Sequence, residues 1–404
     1  MKEKIIDTFQ NLIKYDTTSS PDSTAYPSTE SQLFFADVLA GELSRIGMED
    51  ITIDKYGYVI GTLKGNIDAP TIGFIAHMDT SPDSKGYGIK PMIINDYDGG
   101  IIERDGVNLS PDEFPELKKY IGKTLICSDG NTLLGADDKA GCAAIITAFS
   151  HIINNPDIKR PTIKLAFTPD EEIGKGVDYF DVKKFGCDYA YTIDGGELGE
   201  VSFENFNAAR VKIDITGKSV HPGSAKDLMV NAGLIATMFN NMLPIDEIPA
   251  RTEGYQGFYH LTSISGNTES AKMDYIIRDF DKDKFEYRKN YIKELANKLN
   301  TKYGEDTIKL NIYDEYYNMV EVLNMHRPVV DRAIRAIEKA GIKPLVMPIR
   351  GGTDGARLSY MGLPCPNIFT GGHNFHGPYE FVCVESMIKA VEVIINIVSD
   401  EVAK

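Results

Sequence analysis

The segment Ile72-Gly-Phe-Ile-Ala-His77-Met-Asp79 is the most informative part of the chain, because an apolar run typical of a buried strand ends directly at a histidine and an aspartate. Three further segments repeat this arrangement, with metal-binding residue types after a strand-like run. They are Ile163–Thr168 before Glu171 and Glu172, Tyr189–Ile193 before Asp194, and Pro366–Thr370 before His373 and His376. In an open α/β sheet, ligands bind outside the carboxyl ends of the strands. The four segments therefore predict an α/β fold with one shared site, and a metal site is the simplest interpretation.

Length and composition are those of an ordinary cytoplasmic enzyme. At 404 residues the chain is longer than a single core usually supports, so two domains are expected. The formal net charge of −16 makes nucleic acid and an anionic membrane surface unfavourable partners. The five cysteines have no C-x-x-C spacing, which favours free thiols in a reducing cytosol. There is no signal-peptide core and no apolar run of about 18 residues, so we expect a soluble protein in the cytoplasm.

A change of pattern near residue 207 predicts an inserted domain. Strand-like and helical stretches follow one another in the order β-α-β-β-α-β, which is the ferredoxin-like unit. They are Ala208–Ile215, Val230–Met242, Gly257–Ser265, Ala271–Phe280, Phe285–Leu299 and Thr307–Asp314. We therefore predict a lid domain over residues 208–317, inserted into a catalytic domain formed by residues 1–207 and 318–404.

The remaining segments predict the elements around the site. Helical spacing of apolar residues covers Ala136–Ile153, Val329–Ala340 and Val384–Ser399. The stretch Ser81–Tyr120 is dense in Gly, Pro and Asp, which predicts loops with short hairpins. Leu345–Ile349 is predicted as a strand that leads into a glycine-rich segment.

Two pairs of residues are the first candidates for the metal site. His77 and Asp79 lie two residues apart and can face the same side of a strand. One side chain can then bind a metal while the other holds that ligand in its orientation. Glu171 and Glu172 are adjacent like charges after an apolar strand, and burying them without a cation would be costly. One of them can therefore bind a metal while the other acts as a base. A histidine bonded within a loop and a solvated pair of glutamates are the ordinary alternatives.

The other candidate ligands are less specific. Asp137 lies at the entrance of a helix, where it could simply be an N-cap, and Asp194 precedes two glycines that could form a plain turn. In the last segment, the residues alone do not choose between His373 and His376. Imidazoles and carboxylates without thiolates suit zinc, and also cobalt or manganese. Two histidines and at least three carboxylates exceed the needs of one tetrahedral ion, so a dinuclear site with a bridging carboxylate is predicted.

Long motifs throughout the chain resemble one enzyme family. They are Phe74-Ile-Ala-His77-Met-Asp79-Thr-Ser-Pro-Asp, Leu134-Gly-Ala-Asp137-Asp138-Lys139-Ala-Gly, Ala166-Phe-Thr-Pro-Asp-Glu171-Glu172-Ile-Gly, Thr192-Ile-Asp194-Gly-Gly-Glu, Ser219-Val-His221-Pro-Gly, Pro348-Ile-Arg350-Gly-Gly-Thr-Asp354-Gly-Ala and Asn374-Phe-His376-Gly. They resemble the tripeptide aminopeptidases of the dizinc exopeptidase family that includes carboxypeptidase G and aminoacylase. The resemblance implies an α/β catalytic domain, whose mixed central sheet has helices on both faces, together with the inserted ferredoxin-like domain.

The resemblance also implies roles for single residues. It implies two Zn²⁺ per chain, with Co²⁺ or Mn²⁺ as substitutes. His77 and Asp194 would hold one ion, Glu172 and His376 the other, and Asp137 would bridge them, with a cis peptide bond after it. Asp79 would orient His77, Glu171 would be the general base, and His221 would supply a donor to the oxyanion. In relatives that histidine comes from the other subunit, so a homodimer through the lid domain is expected.

The expected function follows from the same resemblance, and the residues themselves suggest substrate contacts. We expect hydrolysis of the N-terminal peptide bond of tripeptides; a dipeptidase, carboxypeptidase or acylase with the same chemistry is the alternative. A non-catalytic protein that binds peptide or metal is a more remote one. Arg278 and Arg350 could each grip a substrate carboxylate with two parallel bonds. For Arg278, an ion pair with the adjacent Asp279 is the ordinary alternative. Asn231 could bind a main-chain amide of the substrate.

Overall fold

The computed structural model describes residues 1–400, and its backbone divides into two compact units. The first unit comprises Met1–Phe203, Glu321–Met347 and the described residues from Thr353 onward, and the second comprises Glu204–Val320 and Pro348–Gly352. Residues 401–404, the end of the predicted segment 318–404, lie outside the described part. Within residues 1–400, no helix combines the length and the apolar character needed to cross a membrane.

Helices and strands alternate along most of the chain. The helices are α1 (Lys2–Leu12), α2 (Glu30–Ile46), α3 (Ala136–Asn154), α4 (Val182–Phe185), α5 (Ala232–Asn241), α6 (Lys282–Tyr303), α7 (Val320–Met325), α8 (Arg327–Lys339), α9 (Asp354–Tyr360) and α10 (Val384–Asp400). The strands are β1 (Glu49–Ile53), β2 (Val59–Leu63), β3 (Ile72–His77), β4 (Met92–Ile94), β5 (Leu125–Cys127), β6 (Ile163–Thr168), β7 (Tyr189–Gly195), β8 (Glu200–Ser202), β9 (Asn207–Thr216), β10 (Phe258–Gly266), β11 (Ser270–Asp279), β12 (Ile308–Tyr316), β13 (Leu345–Val346), β14 (Asn367–Phe369), β15 (Gly372–His373) and β16 (Phe381–Cys383).

The first unit is built on a mixed eight-stranded sheet in the order β1-β2-β6-β3-β7-β14-β8-β13. Its centre, β6-β3-β7-β14, is parallel, whereas β1, β2 and β8 add antiparallel pairs. The central strands are apolar without alternation, because both of their faces are covered. The predicted α/β fold with a mixed central sheet is therefore confirmed.

Helices cover both faces of this sheet. On one face, α1, α2, α3, α8 and α10 form the main core, in which Phe74 of β3 packs edge-on against Phe149 of α3 with ring centroids 5.8 Å apart. On the other face, Ile75 of β3 belongs to a smaller core with Phe185 of α4 and Leu358 of α9. Neighbouring residues of one strand point to opposite faces of the sheet. Because a core covers each face, successive residues of β3 such as Phe74 and Ile75 are both apolar.

Some element boundaries differ from the sequence predictions. The predicted strand Leu345–Ile349 is only the short β13, and its last residues belong to the second unit with Pro348–Gly352. The glycine-rich stretch after Arg350 continues into a helix that was not predicted, α9, whose Thr353 side chain accepts a hydrogen bond from the Ala356 N–H. Within Ser81–Tyr120, β4 joins a separate four-stranded sheet, β15-β16-β5-β4, instead of forming a local hairpin.

The second unit contains an antiparallel sheet in the order β10-β11-β9-β12, with α5 and α6 packed against it. This is the β-α-β-β-α-β order predicted from the sequence. Residues of β9 alternate between buried and exposed, because only one face of this sheet is covered by the helices. The segment Pro348–Gly352 belongs here, because Ile349 pairs with Asn205 in a parallel bridge.

Candidate metal centre

The strand register brings three of the site-bearing segments to the same level. His77, the last residue of β3, is paired with Thr168, the last residue of β6. On the other side of β3, Ile75 is paired with Thr192 of β7, so Asp194 lies two residues further on, level with His77. Parallel strands end at one edge of a sheet, and the loops that follow them therefore meet there.

Two groups of potential ligands meet at this edge, and Asp137 belongs to both. In the first group, the Nε2 atom of His77 lies 2.9 Å from Oδ1 of Asp137 and 3.5 Å from Oδ1 of Asp194. In the second group, the Nε2 atom of His376 lies 2.9 Å from Oε2 of Glu172 and 3.3 Å from Oδ2 of Asp137. Within each group the candidate ligand atoms all lie within 4.8 Å of one another.

The chemistry of these donors fits a pair of divalent cations. Each group offers one imidazole nitrogen and carboxylate oxygens, and the two oxygens of Asp137 point to different groups. The Oε1 atom of Glu172 is buried and has no hydrogen-bond partner within residues 1–400. A buried carboxylate oxygen without a partner is costly, and a cation would satisfy it. Two metal ions sharing Asp137 would use every oxygen and nitrogen named here.

The backbone at the start of α3 is shaped to present Asp137. The peptide bond between Asp137 and Asp138 is cis, and both residues have dihedral angles outside the helical range. The side chain of Asp138 turns inward, where its Oδ2 accepts from the backbone N–H of His77 and its Oδ1 from that of Gly141. A side chain at Gly141 would collide with the carbonyl oxygen of Ile193. Asp138 therefore ties β3 to α3 directly beneath the first ligand group.

Asp79 connects His77 to the segment that carries the two glutamates. Its Oδ1 lies 3.3 Å from Nδ1 of His77, the ring nitrogen opposite the one that faces Asp137. The same carboxylate accepts from the backbone N–H groups of Glu171, at 3.0 Å, and Glu172, at 3.2 Å. Within residues 1–400, no hydrogen bond engages the carboxylate of Glu171 itself. Asp79 is thus placed to hold both the imidazole ring and the glutamate turn.

Burial and mutual contact perturb the acidities of the ligand groups strongly. Burial, reinforced by the charge of Asp137, raises the pKa of Glu172 to about 8. Hydrogen bonds to Asp137 and Glu172 raise the pKa of His376 to about 11. Burial followed by the charge of Asp194 raises the pKa of Glu171 well above its ordinary value. Burial opposes the ionised form of Asp137, but hydrogen bonds from His376 and His77 outweigh it and lower the pKa of Asp137.

Protein stripped of metal by a chelator should lose thermal stability as the pH rises from 6.5 to 8. Because the pKa of Glu172 is raised, the free energy of unfolding is highest below the ordinary pKa of a glutamate, where the carboxyl group is protonated. It falls as the pH rises towards 8, where the buried group ionises. The raised pKa of His376 likewise stabilises the fold fully below pH 6.5, and this stabilisation is lost gradually as the pH rises towards 11. Both contributions therefore fall in the same window.

Thermal unfolding of stripped and metal-loaded protein at several pH values checks this expectation. Burial lowers the pKa of Lys139 to about 8, so the cost of burying its charge decreases only above that pH, outside the window of the prediction. His373, whose pKa burial lowers to about 4, destabilises only below its ordinary pKa of 6.5. Since ions displace the protons, the stabilisation by added Zn²⁺ should grow over the same window. A midpoint that is constant or rises from pH 6.5 to 8 in stripped protein would contradict the prediction.

The structure separates the two histidines between which the residues alone did not choose. His376 belongs to the second ligand group, whereas Nε2 of His373 lies 2.6 Å from the hydroxyl of Tyr120. The His373 ring also stacks on Phe381 with centroids 4.9 Å apart. His373 therefore supports the small sheet and is turned away from both groups.

Two buried carboxylates near the site were missed by the sequence reasoning. Asp170 directly precedes Glu171; its carboxylate accepts from the backbone N–H and hydroxyl of Ser28, and from the Gln32 amide at 2.7 Å. Asp354 accepts from the hydroxyl of Thr168 at 2.7 Å, and burial raises the pKa of Asp354 to about 7. The only sequence signal for either was its place within a motif, because the hydrogen-bond partners are remote in the chain.

Two further predicted site residues, His221 and Asn231, belong to the second unit. His221 is exposed, and its Nδ1 accepts from the backbone N–H of Gly223 at 3.1 Å. The Oδ1 of Asn231 accepts from the backbone N–H of Leu234, so this side chain caps α5. The cap gives Asn231 a structural role, and its contact with a main-chain amide of the substrate stays a prediction.

The two predicted substrate-binding arginines are also in the second unit, and both are engaged there. Arg278 pairs with Glu315 at 3.1 Å and not with its neighbour Asp279, which binds Arg288 from the opposite face of the strand. The guanidinium of Arg350 donates to carbonyl oxygens in the segment 252–256, the shortest bond being 2.6 Å. Both guanidinium groups thus have partners within this unit, and their contacts with a substrate carboxylate stay predictions.

Comparison with known proteins gives consistent matches to one family of peptidases. Residues 130–400 match the model of peptidase family M20/M25/M40. The chain is 58% identical over 400 residues to Peptidase T of Halothermothrix orenii, covering 98% of both proteins. A crystal structure of aminopeptidase PepT from Bacillus cereus superposes with a TM-score of 0.79 at 26% identity, covering 100% of this chain and 99% of that one. The YXEP protein of Bacillus subtilis, a dinuclear metal-binding peptidase, has the same fold with a TM-score of 0.69 at 14% identity, covering 99% and 98% of the two chains.

Proposed function

The chain belongs to peptidase family M20/M25/M40, and we propose that it is an aminopeptidase that uses two metal ions to release the N-terminal residue of tripeptides. Membership of the family makes the protein a hydrolase and confirms the resemblance drawn from its sequence motifs. The observation that carries the proposal is Asp137, whose two carboxylate oxygens belong to two different ligand groups. The curated relatives named Peptidase T support the choice of short peptides as substrates.

We assign the ligands as follows. His77 and Asp194 would hold one ion, Glu172 and His376 would hold the other, and Asp137 would bridge them. Zn²⁺ suits this set of imidazoles and carboxylates, while Co²⁺ or Mn²⁺ are possible substitutes. When bound, the ions supply Lewis acidity, which makes water nucleophilic near neutral pH and polarises a carbonyl group.

The general base in this proposal is Glu171. Its backbone is held by Asp79, while its carboxylate has no hydrogen bond within residues 1–400 and can accept a proton from water. Burial favours the protonated form of Glu171, and nearby cations would favour the ionised form that a base requires. After attack on the peptide carbonyl, Glu171 would pass the proton to the leaving amine. Asp79 would act by orienting the ring of His77.

A further donor is needed for the oxyanion that develops during hydrolysis, and we assign it to His221. Because Nδ1 of His221 accepts from the Gly223 N–H, a neutral ring carries its proton on Nε2. Nε2 is thus a donor on an exposed ring, which suits action on a substrate or at a second subunit. We propose a homodimer in which the second unit supplies His221 to the site of its partner.

Mixing two inactive variants tests this dimer proposal. A His221→Ala protein mixed with a Glu171→Ala protein should regain activity, because one site of each hybrid dimer would combine intact Glu171 with intact His221. Random exchange makes half of the dimers hybrid, and each hybrid has one complete site, so about a quarter of wild-type activity is expected. If subunits exchange without any recovery, the site is complete within one chain.

The substrate class is tested by a length series. We expect purified, metal-loaded protein to cleave tripeptides at the first bond with kcat/KM about tenfold or more above that for dipeptides or tetrapeptides, which corresponds to about 1.4 kcal/mol in the transition state. N-acetylated tripeptides are the matched control, because they lack only the free amine. Equal cleavage of dipeptides would favour a dipeptidase, and cleavage from the other end a carboxypeptidase. Hydrolysis of the acetylated control at its acyl bond would favour an acylase.

We further propose that the protein acts in the cytoplasm on small peptides. The five cysteines, of which four are buried, form no disulfide in the structure, as suits a reducing compartment. The negative net charge of −16 disfavours nucleic acid as a partner. A role in the last steps of peptide breakdown follows from the proposed substrate.

A further inference from the structure

Glu380 is a buried carboxylate with three backbone donors. It directly precedes β16 and is 1% exposed. Its Oε2 accepts from the N–H groups of Leu134, at 2.6 Å, and Gly135, at 2.8 Å. Its Oε1 accepts from the N–H of Asp137 at 3.0 Å. Burying a carboxylate is costly, and the three hydrogen bonds from this loop reduce that cost.

These bonds connect the start of α3 to the segment that carries His376. Asp137 lies at the irregular start of α3, where the cis peptide bond interrupts the helix. His376 lies only four residues before Glu380, in a loop where its own φ is +64°. Neither segment has strand pairing at its ligand, so regular secondary structure fixes neither side chain. Glu380 joins the loop that carries His376 to the loop that carries Asp137.

The bond to Asp137 is the specific part of this arrangement. The first N–H groups of a helix have no partner inside the helix and must be satisfied from outside. Here the acceptor is the carboxyl group of Glu380, which directly precedes β16, and β16 pairs with β5 in the small sheet. The orientation of the Asp137 backbone is therefore set by a residue far away in sequence, whereas the Asp137 side chain remains free to face both ligand groups.

We propose that Glu380 is a positioning residue that holds Asp137 in the orientation needed to bridge two metal ions. The inference rests on the proposed function, since it assumes that Asp137 is the bridging ligand. Replacing Glu380 removes no ligand side chain, but it loosens Asp137, the ligand that both ions would share. Metal affinity should therefore fall first, and the turnover of protein saturated with metal should fall less.

The Glu380→Gln variant tests this role. A glutamine can direct its oxygen to Leu134 and Gly135, but its amide group then faces the N–H of Asp137 and cannot accept from it. Titration of chelator-stripped protein with Zn²⁺ against a competing chelator measures both affinities directly. We expect at least one of them to fall about 10–100-fold, as is typical for the loss of an outer hydrogen-bond partner. In the Co²⁺ form, the visible absorption spectrum should change as well.

Glu385→Gln is the matched control. Glu385 lies five residues further on and also accepts from a backbone N–H, that of Thr124 at 2.9 Å. Within residues 1–400, its other hydrogen-bond donors are Lys2 and Cys383, and none belongs to residues 134–137. This control should keep both metal affinities within about twofold of the wild type, which is about 0.4 kcal/mol. An equal loss in the control would show a general effect of the region and would overturn the positioning role.

Folding is followed by far-ultraviolet circular dichroism of the stripped proteins. If Glu380→Gln does not fold, Glu380→Asp is titrated instead; its shorter carboxylate cannot span all three donors, and an affinity loss of about tenfold or more is expected. A folded Glu380 variant with both affinities unchanged, beside a wild type that binds two ions, would overturn the positioning role alone. A wild type that binds no ion and cleaves no peptide would overturn the proposed function.

Discussion

Replacing Glu171 by glutamine is expected to lower kcat/KM for a tripeptide by about 10²–10⁴-fold, the range typical for loss of a general base. The substitution keeps the size and shape of the side chain but removes its ability to take a proton from water. Glu171 is held in place through its backbone N–H, which donates to Asp79, so the amide side chain should leave this turn intact.

Metal content separates this result from simple damage to the site. Glu171 belongs to neither ligand group, so Glu171→Gln should still bind about two ions per chain. Glu172→Gln is the matched control: it changes the adjacent residue, which belongs to the second group, and should lose one ion. Both metal counts can be measured by atomic emission on protein freed of excess metal.

Two outcomes would contradict the assignment. Turnover close to that of the wild type in Glu171→Gln would remove this residue from the mechanism. Loss of both ions in the same variant would mean that Glu171 supports metal binding, and the activity loss would then say nothing about proton transfer. The non-catalytic alternative would be favoured only if the wild type binds metal and peptide without any hydrolysis.

Removing the shared ligand should have the other large effect. In Asp137→Ala, each group keeps one histidine and one carboxylate, and neither retains three ligands. Mutation of a residue that only hydrogen-bonds to a metal ligand lowers metal affinity by up to roughly 100-fold. Because Asp137 would itself be a ligand, we expect the affinity for both ions to fall by more than this. Peptidase activity should fall below detection at micromolar metal, and excess metal should restore it poorly.

A histidine pair provides the control for this experiment. His376→Ala should weaken only one ion, because His376 belongs to the second group alone. His373→Ala changes a histidine three residues away that contacts Tyr120, and it should keep both ions. Titrations of the three variants with Zn²⁺ would contradict the bridging role if Asp137→Ala lost no more metal than His376→Ala.

Much of the catalytic unit was predictable because its signals are local. Apolar runs that end in histidine or acidic residues mark strands of a parallel sheet, and such strands end at one edge. This inference does not require the relative placement of distant segments to be known, and it predicted that His77, Glu172 and Asp194 belong to one site. The ferredoxin-like order was predictable for the same reason, since alternation and helical spacing are properties of each segment.

Features that depend on partners remote in the chain were not predictable. Glu380 and Asp170 carry no local sign of their hydrogen bonds, because their donors lie more than a hundred residues away. An ion pair between Asp279 and its neighbour Arg278 was only the ordinary alternative, and adjacent strand residues point to opposite faces, so Arg288 is the partner of Asp279. The guanidinium of Arg350 was expected to face a ligand, whereas the folded segment 252–256 supplies its acceptors.

Fold class, strand ends and types of ligand could be predicted from the residues alone, because periodicity and residue chemistry are carried by short stretches of chain. Which atoms face one another became clear only from the folded chain. Strand register set His77 level with Asp194, and packing turned His373 towards Tyr120 while His376 joined Glu172. Contacts of this kind depend on the relative placement of segments far apart in the chain, and no local pattern encodes that placement.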